Sequence, residues 1–106
     1  RDSSRVGMTE AEARRRGYDV KIARLSAAAV PKAQVMGRAA GILKAVINGA
    51  TGNILGAHFF CAESQEMINL VKLAMDAGLP YTVLRDAIYT HPTMSEALND
   101  LFAAVN

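Results

Sequence analysis

The fold is decided by residues 40–61, which read AGILKAVINGATGNILGAHFFC. Two runs rich in aliphatic and aromatic residues, 40–47 and 54–61, flank a segment rich in glycine and asparagine, 48–53. Glycine and asparagine favour the tight turns that join antiparallel strands. The stretch therefore predicts a β-hairpin around which the rest of the chain is expected to pack.

Upstream of the hairpin, the sequence predicts a helix. Residues 1–8 are polar and are expected to form a frayed lead-in. Thr9 and Glu12 have the T-x-x-E spacing of a capping box, in which each side chain satisfies a free backbone N–H at a helix start. Arginines at 14–16 fall in the last turn, where positive charge complements the helix dipole, although an anion site is the alternative interpretation. Gly17 supplies a left-handed stop.

The remaining hydrophobic patterns complete the fold class. Partial alternation over residues 18–25 predicts a strand before the hairpin. After residue 63 the period changes to that of a helix, with Met67, Leu70, Val71, Ala74, Met75 and Gly78 on one side. Residues 81–88 predict a short helix or turn, and helical spacing returns from 94 to 105. We therefore predict one α+β domain over residues 1–106, with an antiparallel sheet and helices packed on one side.

Composition narrows the classes of function. Twelve basic against ten acidic residues give a net charge of +2, too weak to predict binding to nucleic acid or to a membrane surface. No run approaches the roughly 20 apolar residues of a membrane span, and no signal peptide is recognisable. The single cysteine, Cys61, excludes an intrachain disulfide framework and favours a reducing, cytoplasmic location. Since the sequence lacks an initiator methionine, we expect it to be part of a longer protein.

The candidate catalytic residues lie in the stretch YTHPTMSE, residues 89–96. His91 precedes Pro92, so its backbone is expected to be extended or sharply turned. A histidine titrates near neutral pH, and a neighbouring carboxylate such as Glu96 could orient it for general acid/base catalysis.

A structural interpretation of the same residues stays open. Thr93 and Glu96 have the spacing of a second capping box, and His91 could be an ordinary loop histidine. Both roles of Glu96 can coexist, because a carboxylate at this helix position folds back toward the residues before the cap. Even as a catalytic pair, His91 and Glu96 would form an incomplete site, since the chain shows no recognisable nucleophile or substrate pocket.

Other reactive side chains favour structural roles. His58 lies in the middle of a predicted strand and is expected on a sheet face. Cys61 has no partner cysteine and is expected to act as a small hydrophobic residue. No cluster of histidine, cysteine, aspartate and glutamate has metal-ligand spacing, so we expect no metal site.

Taken together, the segments resemble the C-terminal dimerisation domain of the pyridine nucleotide-disulfide oxidoreductases, a family of flavoproteins. The resemblance rests on the entry VGMTE at 6–10, the hairpin with its Thr51-Gly52 turn, the helix opening at 66–68 and the HPTMSE signature at 91–96. Finer matches at 75–81 and 98–102 resemble the reactive-chlorine-resistance subgroup, whose members reduce hypothiocyanous acid and have been described as copper(II) reductases.

The resemblance implies a role for the HPTMSE stretch. In the family this domain forms a homodimer, and the corresponding loop reaches the active site of the partner subunit. His91 would then serve the partner's redox thiols as an acid/base, Glu96 would orient it, and the loop at His91 and Pro92 would lie near the partner's flavin. FAD and NAD(P)H would belong to the full-length enzyme, and the isolated domain is expected to bind neither and to be inactive.

A second hypothesis comes from a different class of protein. The chain could be a free-standing α+β homodimeric interaction module without redox function, in which His91 and Glu96 are only a loop and its cap. The two hypotheses differ in what the upstream coding sequence should contain. A dinucleotide-binding glycine motif and a C-x4-C pair would support the oxidoreductase, and a start codon near Arg1 would support the module.

Overall fold

The computed structural model describes residues 3–26, 41–60, 64–87 and 97–105. These ranges contain β1 (Ser3–Gly7), α1 (Glu10–Arg15), β2 (Val20–Ser26), β3 (Ile42–Asn48), β4 (Ile54–Phe60), α2 (Ser64–Asp76), α3 (Tyr81–Asp86) and α4 (Ala97–Ala103). The strands form one antiparallel sheet in the order β1-β4-β3-β2. The predicted α+β class is confirmed.

The predicted hairpin forms the centre of the sheet. Strands β3 and β4 pair from Ile42↔Phe60 to Ile47↔Ile54, with a register shift after Val46. The turn between them is closed by a backbone hydrogen bond of 2.8 Å from Asn48 to Asn53. Gly52 has a φ of 81°, a backbone conformation that residues with a side chain rarely adopt, and this explains the glycine in the turn.

Helices α2, α3 and α4 cover one face of the sheet and enclose the main core. Residues of β2, β3 and β4 on this face, such as Ala23, Leu43 and Phe59, are fully buried. Their counterparts on the helices include Met67 and Phe102, which are almost completely shielded from solvent. Burial of such apolar side chains is the dominant favourable term in folding, at about 1.5–3 kcal/mol each.

Helix α1 packs on the opposite face of the sheet, where it closes a second, smaller core. The prediction that the helices pack on one side therefore holds for α2, α3 and α4 but not for α1. Ala13 of α1 is buried against Ile22, Val46 and Leu55. Thr9 caps the helix by accepting a hydrogen bond of 3.1 Å from the Glu12 backbone N–H, so this half of the predicted capping box is confirmed. The end of the helix is also as predicted, because its last turn is basic and Gly17 follows with a φ of 84°.

One prediction for the N-terminal region is wrong. Residues 1–8 are not simply a frayed lead-in, because Ser3–Gly7 form strand β1, paired with β4 from Ser3↔Phe60 to Gly7↔Gly56. Val6 packs against the main core, and the Ser4 hydroxyl lies 3.0 Å from the hydroxyl of the buried Ser64. The pairing depends on residues more than 40 positions away, so local composition could not predict it.

The predicted helices downstream of the hairpin are confirmed where the structure describes them. Helix α2 ends before Gly78, whose φ is 70°, and its buried side includes Met67, Val71 and Ala74. Ser64 and Ile68 are also buried, although the spacing argument did not include them. Residues 88–96 lie outside the described residues, as do the second capping box and Cys61.

Candidate functional site

The residues predicted to carry chemistry, His91, Pro92 and Glu96, lie outside the described residues. The structure describes the chain on both sides of them, up to Ala87 at the end of α3 and from Ala97 at the start of α4. The geometry of these two helices therefore defines where the segment carrying the candidate site leaves the domain and returns to it.

One side chain links the two ends of this segment. The amide nitrogen Nδ2 of Asn99 in α4 donates hydrogen bonds to the backbone carbonyls of Leu84, Arg85 and Ala87, at 3.1, 2.9 and 2.8 Å. The last carbonyls of a helix have no partner within the helix, and here a side chain from another helix supplies the donor. Sequence analysis missed this role, because an asparagine inside a helical pattern carries no signal of what it contacts.

Apolar and aromatic packing supports the same junction. The rings of Tyr81 in α3 and Phe102 in α4 lie with their centroids 6.3 Å apart, and Leu84 is buried between the helices and the sheet. The guanidinium of Arg85 lies 5.7 Å from the centre of the Tyr81 ring and 2.9 Å from Asp86. The hydrogen bond from Arg85 lowers the pKa of the Asp86 carboxyl, so α3 carries an ionised pair beside the candidate segment.

The second histidine lies elsewhere, on the face of the sheet that α1 partly covers. His58 is exposed, as expected for a sheet-face residue, and its Nε2 lies 3.1 Å from the Ser3 hydroxyl. In the register of the sheet it is flanked by Arg5 in β1 and by Lys44 in β3, and Lys44 is paired with Arg24 in β2. These residues form a basic row across all four strands.

A carboxylate from α1 partly neutralises this row. Glu10 lies 2.8 Å from Lys44, 3.0 Å from Arg14 and 3.8 Å from Arg24. Hydrogen bonds from Lys44 and Arg14 lower the pKa of the Glu10 carboxyl. A shallow cleft of about 140 Å³ opens beside Glu10, with His58 in its wall. Because the Glu10 carboxylate already pairs with these cations, we interpret the charged residues around the cleft as a structural ion-pair network.

Within residues 3–26, 41–60, 64–87 and 97–105, no group of three or more histidine, cysteine, aspartate or glutamate side chains could hold a metal ion. No helix in the same part of the chain is both long and apolar enough to cross a membrane.

Comparison with known proteins identifies the family. Residues 2–102 match the family described as pyridine nucleotide-disulphide oxidoreductase, dimerisation domain. The chain belongs to this family. The resemblance inferred from the HPTMSE signature and the hairpin is thus confirmed. The dimerisation domain is 56% identical over 102 residues to a probable pyridine nucleotide-disulfide oxidoreductase, RclA, of Escherichia coli K12. It is also 38% identical over 95 residues to a dihydrolipoyl dehydrogenase of Rhizobium etli.

Solved structures of relatives agree with the fold. The dimerisation domain superposes with a TM-score of 0.95 and 55% identity on the HOCl-induced flavoprotein disulfide reductase RclA of Escherichia coli, covering 98% of this chain and 24% of that one. RclA has also been solved as a Cu(II) complex. LpdA of Mycobacterium tuberculosis shares the fold, with a TM-score of 0.85 at 15% identity over 95% of this chain and 22% of that one.

The dimerisation domain is much shorter than these relatives. The match to RclA covers 96% of this chain and 23% of the relative, and the match to the dihydrolipoyl dehydrogenase covers 90% and 20%. Family membership therefore assigns this chain to the dimer-forming part of flavoprotein oxidoreductases.

Proposed function

We propose that the chain is the dimerisation domain of an FAD-dependent pyridine nucleotide-disulfide oxidoreductase, and that it supplies His91 and Glu96 to the partner subunit's redox-disulfide site. The observation that carries the proposal is the family match over residues 2–102, which includes the HPTMSE signature between α3 and α4. The parent enzyme would be a homodimer that uses NAD(P)H in the reducing cytoplasm, and the isolated domain would be inactive.

The chemistry assigned to His91 is proton transfer during thiol–disulfide exchange. The thiolate is the attacking species, so a base must first remove the proton of the attacking thiol. His91 would accept that proton at a ring nitrogen and return it to the sulfur that leaves, so that one dithiol and one disulfide become one disulfide and two thiols. Glu96 would accept a hydrogen bond from the other ring nitrogen and thereby fix the tautomer.

The cleft that the described residues form beside Glu10 is too small for a flavin. The cleft beside Glu10 has a volume of about 140 Å³, well below the roughly 300–1,000 Å³ of pockets that bury larger organic ligands. The chain also has only one cysteine and so cannot supply a redox disulfide of its own. In the proposed enzyme the redox cysteines therefore come from residues outside this chain. Most of the FAD site would come from the same residues, with the loop at His91 and Pro92 near the partner's flavin.

Exposed apolar side chains on the helical layer, which α2, α3 and α4 form, support the proposal that the partner is a second copy of this chain. Leu73 of α2 is 66% exposed, the largest value among the exposed large apolar side chains of the described residues. Leu79 and Val83, farther along the same part of the chain, are 39% and 42% exposed. Isolated exposed leucines are common, but three within eleven residues on the same layer are suited to burial in an interface. We place the homodimer contact on this layer.

The acid/base role is tested in the full-length protein by His91→Ala. General acid/base catalysis contributes about 10²–10⁴-fold, so thiol–disulfide exchange with bis(2-hydroxyethyl) disulfide should slow by that order. Flavin reduction by NAD(P)H, followed separately by stopped-flow absorbance, should change little. An aromatic disulfide, whose leaving thiol is much more acidic, should be affected less because its leaving group needs no proton.

The chain offers a matched control in its other histidine. His58→Ala removes an imidazole from the outer sheet face, where its Nε2 lies 3.1 Å from the Ser3 hydroxyl, and should leave both half-reactions unchanged. If His91→Ala slows flavin reduction and disulfide exchange equally, or leaves both at the rate of the natural protein, the acid/base assignment is wrong.

The dimer contact is tested by Leu73→Glu. A charge buried in an apolar interface without a partner is costly, so the variant should shift the full-length protein toward monomers in sedimentation velocity at micromolar concentration. Tyr18→Glu provides the control, since Tyr18 is also partly exposed, at 38%, but lies outside the helical layer. A Leu73→Glu protein as dimeric as the Tyr18→Glu control would contradict this placement.

A further inference from the structure

We propose that Asn99 is a positioning residue for the proposed acid/base pair, because it fixes the end of α3 to α4 at the point where the segment carrying His91 begins. The inference rests on the proposed function of His91. It adds a residue that the family signature does not contain, since Asn99 follows the HPTMSE stretch by three positions.

The first argument is the number and placement of the hydrogen bonds. The two hydrogens of the Asn99 amide serve three carbonyl oxygens, those of Leu84, Arg85 and Ala87, at 2.8–3.1 Å. Three acceptors converge on one atom, so that atom must be the nitrogen, because an amide oxygen would face three oxygens without a hydrogen. The orientation of the side chain is therefore determined by its surroundings.

The second argument is the way in which α3 ends. Its final residue, Asp86, is followed by Ala87 with φ −66° and ψ 152°, an extended conformation that turns the chain away from the helix. A glycine in the left-handed conformation is a common way to satisfy the last carbonyls of a helix. Here Asn99 contacts carbonyls both of the helix and of Ala87, so it holds the turn as well as the helix end.

The third argument is the short distance along the chain. His91 is four residues beyond Ala87, and Glu96 is three residues before Asn99. A change at the contact between Asn99 and Ala87 is therefore separated from His91 by four residues on the Ala87 side, and from Glu96 by three residues on the Asn99 side. Misplacement of a catalytic group by about 1 Å can cost about 100-fold in rate.

Two substitutions in the full-length protein test the proposal. Asn99→Asp keeps the shape of the side chain but replaces the donor by a carboxylate facing three carbonyl oxygens, and Asn99→Ala removes the donor without adding charge. Each should slow exchange with bis(2-hydroxyethyl) disulfide by about 10- to 100-fold and leave flavin reduction by NAD(P)H unchanged. Asp100→Ala, at the adjacent exposed position of α4, is the matched control and should keep both rates.

Combination with His91→Ala separates positioning from a general structural effect. If Asn99 acts through His91, each Asn99 substitution should cost no additional rate in the His91→Ala background, because coupled residues are not additive. Additive losses would overturn the inference, and so would loss of bound flavin or of the dimer in both Asn99 variants. A slow His91→Ala enzyme with fully active Asn99 variants refutes this inference alone, whereas a fully active His91→Ala enzyme refutes the proposed function.

Discussion

The crossing of the chain from β1 to α1 depends on Gly56, and Gly56→Ala should measure that dependence. Gly56 in β4 is paired with Gly7 in β1, and the chain then passes directly over it at Met8. A methyl group on Gly56 would approach the Met8 backbone nitrogen to 2.7 Å and the Met8 carbonyl oxygen more closely still. Cβ atoms essentially never approach other heavy atoms within 3.0 Å, so the backbone of Met8 must move.

The expected cost follows from what that movement disturbs. Overpacking costs about 1–3 kcal/mol. Loss of the 2.9 Å hydrogen bond from the Met8 N–H to the Leu55 carbonyl adds about 1 kcal/mol. The added methyl group also reduces the conformational entropy of the unfolded chain, which offsets about 0.4–1 kcal/mol of this loss. We therefore expect Gly56→Ala to lower the free energy of unfolding by about 1–4 kcal/mol. The melting temperature should fall by roughly 4–8 °C for each kcal/mol lost.

The assay is urea denaturation of the chain followed by circular dichroism, with Gly17→Ala as the control. Gly17 has a φ of 84° and no atom within 4 Å of the added methyl group, so its cost is that of backbone conformation alone, about 1–2 kcal/mol. The m-value should be similar in both variants, which would show that the folded state remains compact. If Gly56→Ala is as stable as the natural chain, the argument from the close approach is wrong.

Three other perturbations have expected results. Phe102→Ala should lower the free energy of unfolding, measured by urea titration, by about 3–5 kcal/mol, because Phe102 is only 1% exposed. Phe60→Ala should have a clearly smaller effect, because Phe60 is 44% exposed. Thr9→Ala should cost about 1 kcal/mol by removing the α1 cap, and the same titration measures it. Glu10→Gln should lower the melting temperature most at neutral pH and progressively less as the pH falls toward 3.

The sign for Glu10 follows from its lowered pKa. Hydrogen bonds from Lys44 and Arg14 keep the carboxyl ionised in the folded chain below the pH at which it protonates in the unfolded chain. Its contribution to stability is therefore present above the unfolded pKa, near 4.5, and is lost as the pH falls through the lower folded value. A difference in melting temperature that stays constant between pH 7 and 3 would contradict this assignment.

Local signals in the sequence predicted most of the elements. The hairpin was recognisable because the residues that make its turn lie between the two strands that they join. Helix α1 was recognisable because the residues that determine its ends lie at those ends. Thr9 is the N-cap, and Gly17 directly follows the C-cap. In each case the physical cause of the structure lies within a few residues of the structure itself.

Features that depend on distant partners could not be predicted in this way. Strand β1 is stabilised by pairing with β4, more than 40 residues away, and the row of Arg5, His58, Lys44 and Arg24 exists only once all four strands are in register. The carbonyl contacts of Asn99 likewise require α3 and α4 to be packed. For the candidate pair, His91 and Glu96, the motif was the signal, and their roles stay predictions.

The position of strand β1 in the sheet explains its polar composition. In the described part of the chain it pairs on one side only, with β4, so it lies at an edge of the sheet. An edge strand presents unpaired backbone groups that can recruit strands of other molecules and start aggregation, and charged side chains are one of the ways in which proteins discourage this. Arg5 therefore places a charge on this edge strand, where it helps to discourage such pairing. The polarity that made the first residues look like a frayed lead-in is thus well suited to an edge strand.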